Sequence, residues 1–231
     1  MESERPEELS EVEQLSEAEL DRRIARYAAL PTDEQRRGGA PRELAFVMTI
    51  TGLVGMFASL MLIMSEKERL SDPSAHLLCD INPLLGCGTW IGAWQNEVFF
   101  GVSNSVLGLA FFAGITGLGL VLLARGRFDF WLWKLATLGA SLGIMWIVWF
   151  GYQSYVVEGS LCPYCVVTWL ATIPLFVHLL ARTMQAGAWG SGAEKAGSAL
   201  VRNRWIIIVL VYVVLVAFTV IWFWDKWALV F

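Results

Sequence analysis

The sequence predicts an all-α integral membrane protein, and three observations carry that prediction. Of its 231 residues, 56% are hydrophobic and 16% charged, against about 25% charged in an average soluble domain. Five apolar runs each approach the ~20 residues that a helix needs to cross a bilayer. Most of the acidic residues precede the first run, and no dense basic patch follows. That balance excludes nucleic acid as a partner and leaves membrane lipids as the surroundings.

Taken in order, residues 1–42 read as a cytoplasmic acidic tail and 43–231 as the membrane domain. Ser16-x-x-Glu19 has the form of a capping box, and Leu20, Ile24 and Tyr27 share one helical face. The tail is therefore either a short amphipathic helix or a disordered acidic segment. It has no apolar core of the kind a cleavable signal peptide carries, so none is expected.

The first span is predicted at Leu44–Met64, the second at about 102–124, the third at about 130–152, the fourth at 162–181 and the fifth at 205–224. Lys134 near one end of the third can snorkel to the interface. Trp131, Trp133, Tyr152, Trp205, Trp222 and Trp224 lie near run ends, where aromatic side chains anchor a helix at the bilayer surface. Gly139 and Gly143 form a small-x-x-x-small pair that would let helices approach closely.

Orientation follows from lysine and arginine in the short connections. Arg36, Arg37 and Arg42 precede the first span; Arg125 and Arg127 join spans two and three; Arg182, Lys195, Arg202 and Arg204 join spans four and five. The opposite connections hold only Lys67 and Arg69. The N-terminus is therefore expected in the cytoplasm, and the four cysteines and the C-terminus outside it, where disulfides persist.

Cys162-Pro-Tyr-Cys165 opens the fourth span. Cysteines at i and i+3 meet on a first helical turn, and the free amides and dipole there favour a thiolate, the attacking species in disulfide exchange. Pro163 suits the first turn, where its missing N–H costs little. The leading Cys162 is expected to be the more exposed and to exchange disulfides, with Cys165 one turn deeper. Cys79 and Cys87 flank a small loop with turns at Pro83 and Gly86. A disulfide between them is expected to be solvent-accessible, one sulfur open to an external protein and the other within reach of Cys162. Residues 88–100, with Trp90, Trp94, Phe99 and Phe100, read as an amphipathic interfacial helix lying over the bundle and capping an apolar pocket. His76 and His178 read as surface and packing residues. Asp80 and Glu97 are solvated carboxylates or proton relays.

With both cysteine pairs placed, the chain resembles the vitamin K epoxide reductase family. The matching features are Cys79-Asp80 followed by Cys87, then Ser103-Asn104-Ser105 opening the second span, then Cys162-x-x-Cys165 opening the fourth. The resemblance covers about residues 44–181, with the fifth span as in bacterial members. It implies a four-helix bundle around a quinone plus a fifth, peripheral transmembrane helix. It implies Cys79 and Cys87 as a shuttle pair, Cys162 and Cys165 as the catalytic pair, and Asn104 as the amide bonded to a quinone oxygen. Trp169 stands where some members have a tyrosine that bonds the quinone, so its indole either donates a hydrogen bond or stacks. Bacterial members often carry a fused thioredoxin-like domain after the fifth span; this sequence ends at Phe231, so a separate extracytoplasmic thioredoxin-fold (DsbA-like) dithiol protein is expected to supply electrons.

The resemblance thus implies a cell-membrane oxidoreductase. It oxidises that partner and passes electrons from Cys79/Cys87 through Cys162/Cys165 to a menaquinone, ubiquinone or vitamin K type of quinone. The alternatives are a reductase of vitamin K epoxide or quinone, a membrane scaffold stapled by disulfides, and a zinc module. Zinc is disfavoured because four-cysteine sites usually pair two short hairpins, and no metal is expected here.

Overall fold

The computed structural model describes residues 16–28 and 30–227. Before the first span, α1 covers Glu17–Ala28 and α2 covers Asp33–Arg36. The Glu19 amide donates to the Ser16 hydroxyl oxygen at 3.3 Å, forming one arm of the expected capping box. The side chains of Ile24 and Tyr27 lie outside those described. The complete capping box stands one helix later: the Gln35 amide bonds the Thr32 hydroxyl, and the Gln35 side chain bonds the Thr32 amide.

Five long apolar helices follow: α3 (Arg42–Ser71), α4 (Asn104–Leu123), α5 (Phe130–Tyr152), α6 (Pro163–Gln185) and α7 (Ser191–Trp222), with a short α8 (Trp224–Trp227) at the end. The chain is an all-α, multi-pass membrane protein. α3 packs on α4 and α6, α5 packs on α6, and α7 lies against the outside of α6. The most buried span is α6 and the least is α7, so four helices form the bundle and the fifth is peripheral.

α3 illustrates the division of faces. Phe46, Ile50, Leu53, Phe57, Leu60 and Met64 recur at helical spacing and stay exposed, as a lipid-facing stripe must. Its inner face carries small or hydroxylated residues, including Ala45, Thr49, Gly52, Gly55, Ala58 and Ser59. A Cβ at Gly52 would stand 2.9 Å from the Thr116 amide nitrogen, and one at Gly119 would stand 2.8 Å from that of Thr49. The α3 and α4 backbones approach closely because neither position carries a side chain.

Both ends of the bundle are tied by polar contacts. At the end opposite the cysteines, residues 35–39 dock on the bundle. Arg182 donates to the carbonyls of Gln35 (3.0 Å) and Gly39 (2.6 Å), and its guanidinium lies 3.8 Å from the Trp133 ring centroid. The Trp133 indole donates to the Gly38 carbonyl at 3.0 Å. Glu43 accepts from Arg204 and Trp205 and so pins α7 near its middle. His178 is buried there, bonded through Nδ1 to the Pro174 carbonyl, which makes it a packing residue. At the cysteine end, a π turn at Gln153–Val157 extends α5, and its Tyr155 carbonyl accepts from the Trp222 indole at 2.8 Å.

Two expectations are corrected. α3 outlasts its apolar run by a full polar extension, Ser65–Ser71, because a helix does not stop where the membrane does. Residues 88–100 are not a helix. They are turns around one 3₁₀ turn at Trp94–Asn96. Left-handed φ at Gly92 (77°), Phe100 (55°) and Gly101 (73°) breaks the periodicity.

Candidate functional site

The segment between α3 and α4 builds the site. The Gly86 amide donates to the Leu161 carbonyl at 3.0 Å, and the Leu161 amide donates to the Leu84 carbonyl at 2.8 Å. This two-bond parallel bridge joins the loop to the residues just before α6. The residues that follow on each strand are Cys87 and Cys162, and their sulfurs stand 3.4 Å apart. That is close to van der Waals contact, the distance from which disulfide exchange starts.

Cys79 and Cys87 are joined as a disulfide, while Cys162 and Cys165 are free thiols. Asp80 organises the loop. One carboxylate oxygen accepts from the Cys87 and Gly88 amides, both at 2.9 Å, and the other accepts from Arg69 at 3.0 Å. Asn82 completes the turn by accepting from the Leu84 and Leu85 amides at 2.9 and 2.8 Å. Asp80 thus holds the loop with both oxygens engaged. Glu97 is exposed and does not line the cavity described below.

The exposure of the four cysteines differs from the sequence expectation. Cys79 and Cys87 are 2% and 0% exposed, covered by Leu77, Leu84 and Trp90. Cys162, expected as the open member of its pair, is 1% exposed because the loop bridge covers it. Cys165 is the more open of the two and faces inward, onto a cavity. Cys162 is the N-cap of α6; its sulfur accepts from the Cys165 amide at 3.4 Å, an arrangement that favours a thiolate.

The cavity has a volume of about 360 Å³ and lies among α3, α4, α5 and α6. Its walls are largely apolar and aromatic, including Leu62, Phe112, Trp146 and Phe150. Gly139 and Gly143 line it as well, so the small residues of α5 make room for the cavity as well as for neighbouring helices. Residues 88–100 close the top by aromatic pairing with α5. Trp90 meets Phe150 at 4.5 Å between centroids, Trp94 meets Trp149 at 5.9 Å, and Phe99 meets Trp146 at 5.2 Å. The expected capping role is therefore filled, by turns where a helix was predicted.

Asn104 and Trp169 both line this cavity. Asn104 is the first residue of α4; one of its two amide N–H groups donates to the Gln95 carbonyl at 2.8 Å, leaving the other for a ligand. The Trp90 indole N–H is buried without a protein partner. A flat apolar molecule whose polar atoms only accept hydrogen bonds suits these walls and these spare donors. A quinone ring has that chemistry, and the volume lies in the usual range for small-ligand sites.

One carboxylate on the cavity wall was missed in the sequence. Glu66 accepts from Asn96 (2.7 Å), Ser103 (2.6 Å) and Ser105 (3.0 Å). The only available signal was its position, two residues beyond the end of the first apolar run.

A disulfide poised against a helix-end dithiol, inside a membrane bundle, defines a membrane thiol oxidoreductase. The chain belongs to the vitamin K epoxide reductase family: the family's model matches residues 46–180, a stretch that holds all four cysteines, Asn104 and Trp169. Members of this family use quinones. The peripheral α7 lies outside the match.

The loop geometry makes a first prediction. Asp80→Ala removes two amide bonds and the Arg69 partner, a loss of about 2–4 kcal/mol in local order. Exchange between the loop disulfide and Cys162, followed by rapid alkylation and peptide mapping, should slow at least tenfold. A wild-type exchange rate would show that Asp80 does not position Cys87.

Proposed function

We propose that this protein is a quinone-dependent thiol oxidoreductase that regenerates oxidised extracytoplasmic thioredoxin-fold (DsbA-like) proteins for disulfide formation. The observation that carries the proposal is the 3.4 Å approach of Cys87 to Cys162, with Cys165 opening onto the cavity. Lysine and arginine cluster in the connections at the opposite end from the cysteines, which supports a cytoplasmic N-terminus and extracytoplasmic cysteines.

The relay runs through thiol–disulfide exchange. A partner thiolate attacks the loop disulfide at Cys79 and forms a mixed disulfide, with Cys87 leaving as thiolate. A second partner thiol displaces Cys79 and leaves both loop cysteines reduced. Cys87 then attacks Cys162 of an oxidised Cys162–Cys165 pair and releases Cys165. Cys79 displaces Cys162 from Cys87, which restores the loop disulfide and leaves a reduced helix-end pair. That end state has the same redox pattern as the structure, with the loop pair oxidised and the helix-end pair reduced. A bound quinone supplies the oxidising power, taking two electrons and two protons. Asn104 and Trp169 would hold its ring, with the second Asn104 amide N–H as the donor to an oxygen. Cys165 stands at the cavity, where it would deliver the electron pair.

Because Cys79 is covered, attack there requires the loop to open. Leu78 (82% exposed) and Ile81 (63%) flank it and offer apolar contacts to a docking partner. A disulfide-stapled scaffold has no use for a free thiol pair beside a ligand-sized cavity, which favours the catalytic reading. Purified protein mixed with a reduced thioredoxin-fold protein should oxidise it when given a quinone. Activity only with an epoxide would favour the epoxide reductase reading, and no mixed disulfide at any time would favour the scaffold.

A further inference from the structure

We propose that Glu66 is the proton-handling residue of the cavity: it takes the proton of the Cys165 thiol and returns it to a quinone oxygen. The inference rests on the reading of the cavity as a quinone site.

Glu66 stands on the polar extension of α3 and lines the same cavity as Cys165 and Asn104. A carboxylate at the wall of an apolar cavity is costly unless it is held by donors. Three hold it, from two elements: Asn96 of the lid, and Ser103 and Ser105 at the start of α4. None of them is charged, and among the described residues no lysine, arginine or histidine is paired with it. Its charge is therefore stabilised but not locked by a cation, as a group that gains and loses a proton requires. The other titratable groups lining the cavity are Cys87 and Cys165. Cys87 is bound in the loop disulfide when the helix-end pair is reduced. Among the described residues lining the cavity, Glu66 is then the group able to accept the proton that Cys165 must lose.

The step balances. Oxidation of the Cys162–Cys165 dithiol forms one S–S bond and releases two electrons and two protons. Both electrons go to the bound quinone. The Cys165 proton travels through Glu66 to one quinone oxygen. The Cys162 proton leaves to water at the loop, and water supplies its counterpart to the second oxygen.

The alternative is that Glu66 only ties the lid to α4. Glu66→Gln separates the two roles. Its side-chain oxygen still accepts from Asn96 and Ser103, and its amide can donate to Ser105, so the lid stays tied while the proton carrier is lost. Menadione binding is read from quenching of the cavity tryptophans, and its reduction from a single turnover of the reduced protein across a pH series. The expected result is a dissociation constant within about twofold of wild type and a reduction rate at least tenfold lower, within the span typical of proton-transfer groups. The acid limb of the wild-type pH profile should be absent in Glu66→Gln, and Glu66→Asp should recover part of the rate. A wild-type rate and profile in Glu66→Gln would overturn the proposal, as would a loss explained wholly by weaker menadione binding. Wild-type protein that binds no menadione overturns the parent reading, and this one with it.

Discussion

Cys165→Ser should lower quinone reduction by roughly 10³-fold or more, the scale seen when a residue that forms a covalent intermediate is removed. Cys165 is the one sulfur of the helix-end pair that opens onto the cavity. Its loss also removes one of the two sulfurs that can resolve a Cys87–Cys162 disulfide, leaving only Cys79. With Cys87 3.4 Å away, Cys162 then has a single partner, and a Cys87–Cys162 disulfide should accumulate with Cys79 free. Peptide mapping under non-reducing conditions reads this directly. Turnover at the wild-type rate would remove Cys165 from the relay.

Cys87→Ser should be equally severe through a different failure. No loop disulfide can form, and the sulfur nearest Cys162 is gone, so electrons have no path inward. An oxidised partner attacked by Cys79 would form a mixed disulfide that only the partner's own second thiol can resolve, because no second loop sulfur is present. A gel shift on the intact protein that disappears on reduction, with Cys79 identified in the linked peptide, is the expected observation. A variant that keeps reducing quinone with partner electrons would mean that Cys87 is not the bridge.

Much of this architecture was legible in the chain because lipid imposes simple demands. Each run of about 20 apolar residues had to become a helix, and the C-P-Y-C motif at the mouth of the fourth run marked the end where the four cysteines gather. Asn104 and Trp169 were also found from their places in the family pattern, and both line the cavity. What escaped were features set by contacts distant in sequence. The loop disulfide is buried because Leu84 and Gly86 bridge to Leu161, a pairing of residues some 75 positions apart that no local pattern announces. The lid departs from a helix because its aromatic side chains find partners on α5, at Trp146, Trp149 and Phe150, and its glycines permit the turns this requires. Glu66 escaped because hydropathy ends α3 at Met64, whereas the helix carries on to Ser71 and brings the carboxylate back over the cavity.

The order of electron transfer is the central claim, and one measurement tests it most directly. Fully oxidised protein, stripped of quinone, is mixed with one equivalent of a reduced thioredoxin-fold dithiol, quenched by alkylation and mapped by mass spectrometry. The relay predicts that the electrons come to rest on Cys162 and Cys165, both alkylated, with the Cys79–Cys87 disulfide restored. Alkylation of Cys79 and Cys87 with a persistent Cys162–Cys165 disulfide would contradict it.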